Sequence, residues 1–512
     1  MKKNSINTAI LASLAGIAGI ANISSAVNIN PDGTGQVLIY PYYTVNAGNQ
    51  TLLSVVNTTN QGKAVKVRVL EGRNSQEVLD FNLFLSREDV WTAAILDLAG
   101  ATGAASIITL DKSCTAPSFA SEGTSTASGI PFVSFRNFLY VADTAGGIGL
   151  DRTREGHIEL IEMATLDGAL NTAITHVSGT DVPANCASVA SGVGPLFAFN
   201  ANNVPSGGLF GGAAVINIAN GTYTNYAATA IDGFWSPGEI GYSSPDSILP
   251  SLSNARPQSL VFSNGRVITS NWGGAAVGGP LDPGQRIDAV SAIFMSDTFL
   301  NEYTTETGIA ASSEWVVTFP TKRFYVDRTV AQGVIAPFTS RYTGGQSCDP
   351  IGITSWNREE FTTTVPTGFS PPQGRPIPEI CFETNVLSFN QVITNGANGT
   401  SSPTKILGSV LGRNINTPRI PVPAGNGTQA GWTRIDLSQV AGGVPLPGAA
   451  PSRLTRASVE VHRFVGLPVT GFWAVSIENN NATPGVKGFY GGAFNHRSSR
   501  NCQLGVAQCF VN

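Results

Sequence analysis

The chain has 512 residues, with 30 Lys+Arg against 34 Asp+Glu and a formal net charge of −4. Nucleic acid requires a basic face, so this balance argues against a nucleic-acid partner. Charged residues are 12% of the chain, about half the usual ~25%, while hydrophobic content is ordinary at 42%, so the surface is built largely from Ser, Thr, Asn, Gln and Gly.

Lys2 and Lys3 precede a short apolar run from Ala9 to Ile23 and then Ser24-Ser25-Ala26, the order of a secretory signal peptide. The run is too short for the roughly 20 helical residues that span a bilayer. Residues 1–26 are therefore expected to be removed after Ala26, leaving Val27-Asn28 with no Cys to carry a lipid. No later window reaches the length of a transmembrane helix, so no transmembrane segment is expected after cleavage. The expected destination is outside the cytoplasm: periplasm, cell surface or exterior.

From Val27 to Cys114, six runs read as strands of ordinary length: 36–45, 51–58, 64–71, 79–85, 89–95 and 105–110. The third has the cleanest period of two, with Val65, Val67 and Val69 on one side and Lys66 and Arg68 on the other. Six strands in so short a span indicate an immunoglobulin-like sandwich or a related Greek key, with Phe81, Leu83 and Trp91 as candidate core residues. Residues 115–129, rich in Ser, Thr, Ala and Gly, read as a linker or loop.

Farther on, 131–141 and 156–163 read as strands, while Leu166, Leu170, Ile174 and Val177 recur at helical spacing and give one short helix before Gly179. Asn220-Gly221 between two strand-like runs reads as a type I′ hairpin. Pro283 opens an expected helix through Ile287, Val290, Phe294 and Phe299 to about Tyr303, and 314–319 returns to strand. Prolines at 366–378, 418–423 and 445–451 mark surface excursions, and strand signal resumes at 457–464, 471–477 and 488–494. The expected fold is mainly β: an N-terminal immunoglobulin-like β-sandwich at 27–114, a central β-rich domain with two or so short helices at 115–347, and a C-terminal β-rich region at 348–512 packed on it.

Export makes the even set Cys114, Cys186, Cys348, Cys381, Cys502 and Cys509 a disulfide framework. Fifteen pairings are possible, and the nearest-neighbour set is preferred: Cys114 with Cys186, Cys348 with Cys381, Cys502 with Cys509. No CxxC or paired Cys/His spacing suggests zinc instead.

The densest charge lies at 151–162, where Asp151, Arg152, Arg154, Glu155, His157, Glu159 and Glu162 are ionisable. On a strand, Glu155, His157 and Glu159 share one face while Ile158 and Leu160 face the core. A second strand offers Glu460 and His462 on one side. Joined, His157, Glu159, Glu460 and His462 would make an acid/base or divalent-metal site, with His157, Glu159 and His462 as the ligand candidates. Left apart, they are solvated strand faces with ion pairs to Arg152, Arg154 and Arg463, and this second reading is preferred. No G-x-S-x-G elbow is present, and Gly207-Gly208 lacks the Lys-Ser/Thr of a phosphate loop, so no nucleophile and no cofactor is expected. Tyr40, Tyr42, Tyr43, Trp235, Trp272, Trp356 and Trp432 are candidates for stacking on sugars, though a place in the core or at its edge is preferred for them.

The phrases VLIYPYYTV at 37–45, LDFNLFLS at 79–86 with Asp89-Val90-Trp91, NEY at 301–303 and WVVTFPTK at 315–322 resemble a group of exported proteobacterial proteins without an assigned function. The resemblance implies export and a Gram-negative source and carries over no catalytic residue. The functional expectation is a secreted or cell-surface structural or adhesive protein, self-associating or binding cell-surface polymers. The competing expectation is an extracellular carbohydrate-binding or carbohydrate-active protein with a strand-borne His/Glu site.

Overall fold

The computed structural model describes residues 26–100, 103–263, 265–273, 286–330, 336–362, 378–391, 403–417, 430–438, 453–483, 486–505 and 507–509. The leader at 1–25, Pro283 and most of the proline-rich excursions lie outside them. Within them the chain is mainly β, with short helices, as composition and periodicity require.

Two antiparallel sheets pack face to face. The first has seven strands in the order Asn28–Ile29, Thr229–Asp232, Val37–Thr44, Glu155–Leu166, Gly62–Glu71, Glu77–Leu85 and Cys114–Ala116. The second has six: Thr222–Ala227, Leu209–Asn217, Gln50–Asn57, Val90–Leu96, Ser106–Ile108 and Phe132–Ser134. Val65, Val67 and Val69 meet Val55, Trp91 and Ile95 across the interface. Phe81 and Leu83 join them, with the Phe81 and Trp91 rings 5.8 Å apart.

The sheets do not stop at Cys114. Glu155–Leu166 pairs on one side with Val37–Thr44 and on the other with Gly62–Glu71, so a unit ending at 114 lacks the strand that satisfies both backbones. The stretch at 115–129 is not wholly a linker either. Thr115 and Ala116 pair with Leu83 and Asn82, and Phe119 is buried with its ring 5.2 Å from Phe81. One aromatic side chain anchors an otherwise polar stretch.

Farther along, a five-stranded sheet runs Gly412–Ile415, Thr384–Phe389, Ser312–Thr318, Thr470–Thr483 and Val486–Asn495, with the first pair parallel. Its strands alternate between two cores: Val316, Val386, Phe472 and Ala474 enter the sandwich core, while Trp315, Val317, Leu387 and Trp473 enter a second one. Phe472 stacks on Tyr226 at 4.5 Å, and Thr318 Oγ1 donates to the Pro41 carbonyl at 2.6 Å. The second core also takes Val37, Ile39, Ile161 and Ile231 from the far side of the seven-stranded sheet.

The helix expected to run to Tyr303 ends at Phe294, and Thr298–Thr304 is a strand beside Ala430–Asp436. Phe299 and Tyr303 are four residues apart, which places them on one face of a strand as well as of a helix, so their spacing could not separate the two. The Asn220-Gly221 hairpin forms, with Asn217 opposite Thr222, but only Gly221 of that pair has positive φ, so the turn is not type I′. The disulfides are Cys114–Cys186, Cys348–Cys381 and Cys502–Cys509.

Because one sheet serves two cores, the mature chain should unfold in a single calorimetric transition, and Phe472→Ala should lower its stability by about 3–5 kcal/mol without splitting it. Two separated transitions in the unmutated chain would show that the halves are energetically independent.

Candidate functional site

Glu155–Leu166 is buried along its whole length. Ile158 and Leu160 point into the sandwich core, while Glu155, His157 and Glu159 occupy the opposite face beneath the second half of the chain; Glu162, on the parity of Leu160 and opposite Val65, lies at the edge of the sandwich against Ser206 and Gly207. They are not solvated. Lys63 Nζ lies 2.8 Å from Glu162 Oε1, both fully enclosed, and Glu162 also accepts from the Ser206 and Gly207 amides at 3.0 and 2.7 Å. Arg68 bridges Glu77 at 2.8 Å and Glu159 at 2.7 Å. Arg152 pairs with Glu71 and Asp143, and Arg154 with Asp97. The partners expected for these carboxylates, Arg152, Arg154 and Arg463, are thus replaced by Lys63 and Arg68 from the next strand. Alternation of Lys66 and Arg68 with Val65, Val67 and Val69 was the available signal for Arg68, whereas Lys63 shares the parity of the valines and carried none.

Glu155 has no ion-pair partner among the described residues. Its carboxylate accepts from the Val410 and Leu411 amides at 2.9 and 3.2 Å and from the Tyr42 hydroxyl at 3.0 Å, clamping the second half onto the first. Burial raises its pKa, and these hydrogen bonds pull it back. His157 is also enclosed: Nδ1 lies 3.5 Å from Thr384 Oγ1, Nε2 is 3.9 Å from Glu159 Oε1 and has no hydrogen-bond partner. Burial pushes its pKa down to about 3, so it stays neutral in the fold and out of reach of a substrate.

Glu460 and His462 lie elsewhere. His462 pairs with the strand Cys502–Leu504, its Nδ1 sits 2.9 Å from Ser270 Oγ, and Glu460 accepts from the Asn271 amide at 2.9 Å. Among the described residues no hydrogen bond or ion pair joins this group to Glu155, His157 or Glu159. The described residues bring three residues of metal-ligating type within reach of one another at Cys348, Glu379 and Cys381, where the two sulfurs are already bonded to each other.

Of the aromatic candidates, Tyr40, Tyr42, Tyr43, Trp235 and Trp272 are core residues. Trp356 and Trp432 stand on adjacent strands with ring centroids 4.1 Å apart, and Arg434 lies over Trp356. Each ring therefore spends a face on the other instead of offering it to a sugar.

Sequence reading missed two features. One is the outer face of the six-stranded sheet, which the other described residues leave open: Leu52, Val90, Phe210 and Tyr223 are all more than a third exposed. Leu52 sits between Ala94 and Ala214, and Ser54 between Thr92 and Gly212, so small side chains flank the middle strand and hollow a trough of about 600 Å³. The signal was the run of 50–57, whose outward positions are Gln50, Leu52, Ser54 and Val56, none charged. The other is a cleft between the two halves, about 690 Å³, with Arg73 on one wall and Arg413 on the other.

Compared with known proteins, the chain matches no family model, no curated protein and no solved structure. Fold and site define a class on their own: a mainly β, disulfide-bonded protein with charges turned inward and one uncharged sheet face turned outward. No helix among the described residues is long and apolar enough to cross a membrane.

Glu162→Ala leaves Lys63 charged and unpaired in the interior and should cost about 3–5 kcal/mol in urea unfolding, whereas Lys63→Met with Glu162→Leu should recover most of it. If the single and double variants melt alike, the pair is not what holds this face. A second test concerns Glu383, fully buried with one oxygen unpartnered, whose pKa burial pushes up to about 8 against the lowering pull of Lys322. The folded state then holds a proton that the unfolded state releases near 4.5, so stability is lost as pH rises toward 8. His157 acts in the opposite direction below 6.5, so the clean window is pH 6.5 to 8. Across it the unmutated chain should lose up to ~1.4 kcal/mol per pH unit relative to Glu383→Gln, and parallel stability profiles would refute the assignment.

Proposed function

We propose that this is an exported structural or adhesive protein of the Gram-negative cell surface that associates with further copies of itself through the open face of the six-stranded sheet. The observation that carries the reading is that face: apolar, hollowed, and without a charged side chain among its outward positions on the strands Gln50–Asn57, Val90–Leu96, Leu209–Asn217 and Thr222–Ala227. Without Lys2 and Lys3 the mature chain has 28 Lys+Arg against 34 Asp+Glu, a net charge of −6, so two copies repel each other, and an uncharged face is where that repulsion is least and apolar burial greatest. A sheet face packs on a second sheet at about 10 Å, so a symmetric pair buries both troughs together.

Export rests on the leader, on the three disulfides and on the resemblance of the 37–45, 79–91, 301–303 and 315–322 phrases to exported proteobacterial proteins. In the fold Ala26 and Val27 are buried and the Val27 amide donates to the Gln258 carbonyl at 2.8 Å. A peptidase cutting after Ala26 would therefore have to act before this end of the chain folds.

Light scattering on the mature chain should show dimers or larger assemblies that Leu52→Glu converts to monomers without lowering the melting temperature. A mature chain that stays monomeric at its highest soluble concentration overturns the reading, as does association indifferent to Leu52→Glu.

A further inference from the structure

The cleft between the halves is independent of the sheet face and has a different chemistry. Its first wall is Arg73 and Ala145; the others are the turn at Gly344–Gln346, the segment from Glu379 to Phe382 with Asn385 and Leu387, and the strand end at 410–414. Its volume of about 690 Å³ lies within the range of small-ligand sites, which favour junctions between domains. Gly345, at φ +86, approaches the Ala145 carbonyl so closely that a Cβ would collide with it, which lets the turn of the second half seat directly on the first. The floor is rigid, because Glu155 holds the Val410 and Leu411 amides.

Two guanidinium groups face this space, each anchored at one nitrogen. Arg73 Nη1 donates to the Gly146 carbonyl at 2.8 Å, and Arg413 Nη1 to the Glu379 carbonyl at 2.6 Å. Neither has a carboxylate within 4.0 Å among the described residues, whereas Arg68, Arg152 and Arg154 do. Burial lowers the pKa of Arg413 and the charge of Glu379 offsets this in part, so an added anion would be stabilising there. The cleft also offers acceptors: the Glu379 carboxylate, and Asn414 Oδ1, which is buried with no hydrogen-bond partner among the described residues. A bare inorganic anion would satisfy the arginines and leave these acceptors unmet. A ligand with one carboxylate and several hydroxyls satisfies both, since hydroxyls donate to Glu379 and Asn414 while the carboxylate takes the planar donors of arginine.

We propose that this cleft binds an acidic saccharide, its carboxylate held by Arg73 and Arg413 and its hydroxyls by Glu379 and Asn414. The test is calorimetric titration of the full mature chain with a galacturonate trimer, a neutral galactose trimer and sodium sulfate. The acidic trimer should bind saturably, and the neutral trimer at least ~10-fold more weakly. Arg73→Ala and Arg413→Ala should each weaken the acidic trimer by ~10-fold or more while the melting temperature holds. Arg413→Lys, which keeps charge but loses the fork, should fall between Arg413→Ala and the unmutated chain. If Arg413→Ala fails to fold, Arg73→Ala carries the test. Leu52→Glu should leave binding unchanged, which separates this site from the self-association face. No binding of the acidic trimer, equal affinity for the neutral trimer, sulfate binding as tightly as the trimer, or undiminished binding by the double arginine variant would each overturn the proposal.

Discussion

The strand Glu155–Leu166 lies at the middle of the seven-stranded sheet with both faces covered, and it carries four ionisable side chains into that position. Taking charges out of water costs several kcal/mol each unless partners replace the lost hydration. The rest of the architecture answers this one constraint. Gly62–Glu71 brings Lys63 and Arg68 alongside, the Ser206 and Gly207 amides complete the shell of Glu162, and the turn at 410–411 closes over Glu155. Each compensating group comes from a segment distant in sequence, so the sheet and its charges specify the long-range topology together.

The same constraint joins the halves. Burying the charged face requires a lid, and the five-stranded sheet supplies it while sending alternate side chains into both cores. Polar contacts concentrate along this seam. Ser75 donates to Glu383, Asn74 donates to both Asp143 and Asp327, and Arg323 pairs with Asp327. Buried ionic contacts of this kind define orientation more than they add stability, because a wrong register leaves charges unpaired. The surface left over is correspondingly poor in charge, which is why its two distinctive features are an uncharged sheet face and a cleft that keeps two arginines without carboxylate partners.

Two of the phrases that carry a resemblance to exported proteins, 37–45 and 315–322, lie on buried segments. Residues 37–44 are buried at every position, and 313–318 likewise. A run apolar on both faces reports a strand covered on both sides, and it reports nothing about a ligand. For the same reason Tyr40, Tyr42 and Tyr43 turn out to be core residues, with Tyr42 tied to Glu155 and Tyr43 to the Thr153 carbonyl. Conversely, the open sheet face is made of Leu, Val, Ala, Ser and Thr at alternate positions, indistinguishable by composition from positions that face a core.

Local chemistry was legible in the sequence wherever it is local. Alternation located the six strands from 36 to 110 to within a few residues, and the even cysteine count with nearest-neighbour pairing corresponds to the three bridges present. The faces of Glu155, His157 and Glu159 were legible for the same reason, since a strand repeats every two residues. What only the tertiary structure decided was whether a face meets water. Period two sorts side chains into two sets without saying which set is covered, so the charged set on Glu155–Leu166 read as solvated when it is interior, and the apolar set on Gln50–Asn57 carried no mark of being open. Which strand lies beside which, and hence which charge meets which, depends on contacts between residues about a hundred or more apart, such as Lys63 with Glu162 and Glu155 with Val410. Such contacts leave no local pattern, because the energy that selects them exists only once both segments have left water.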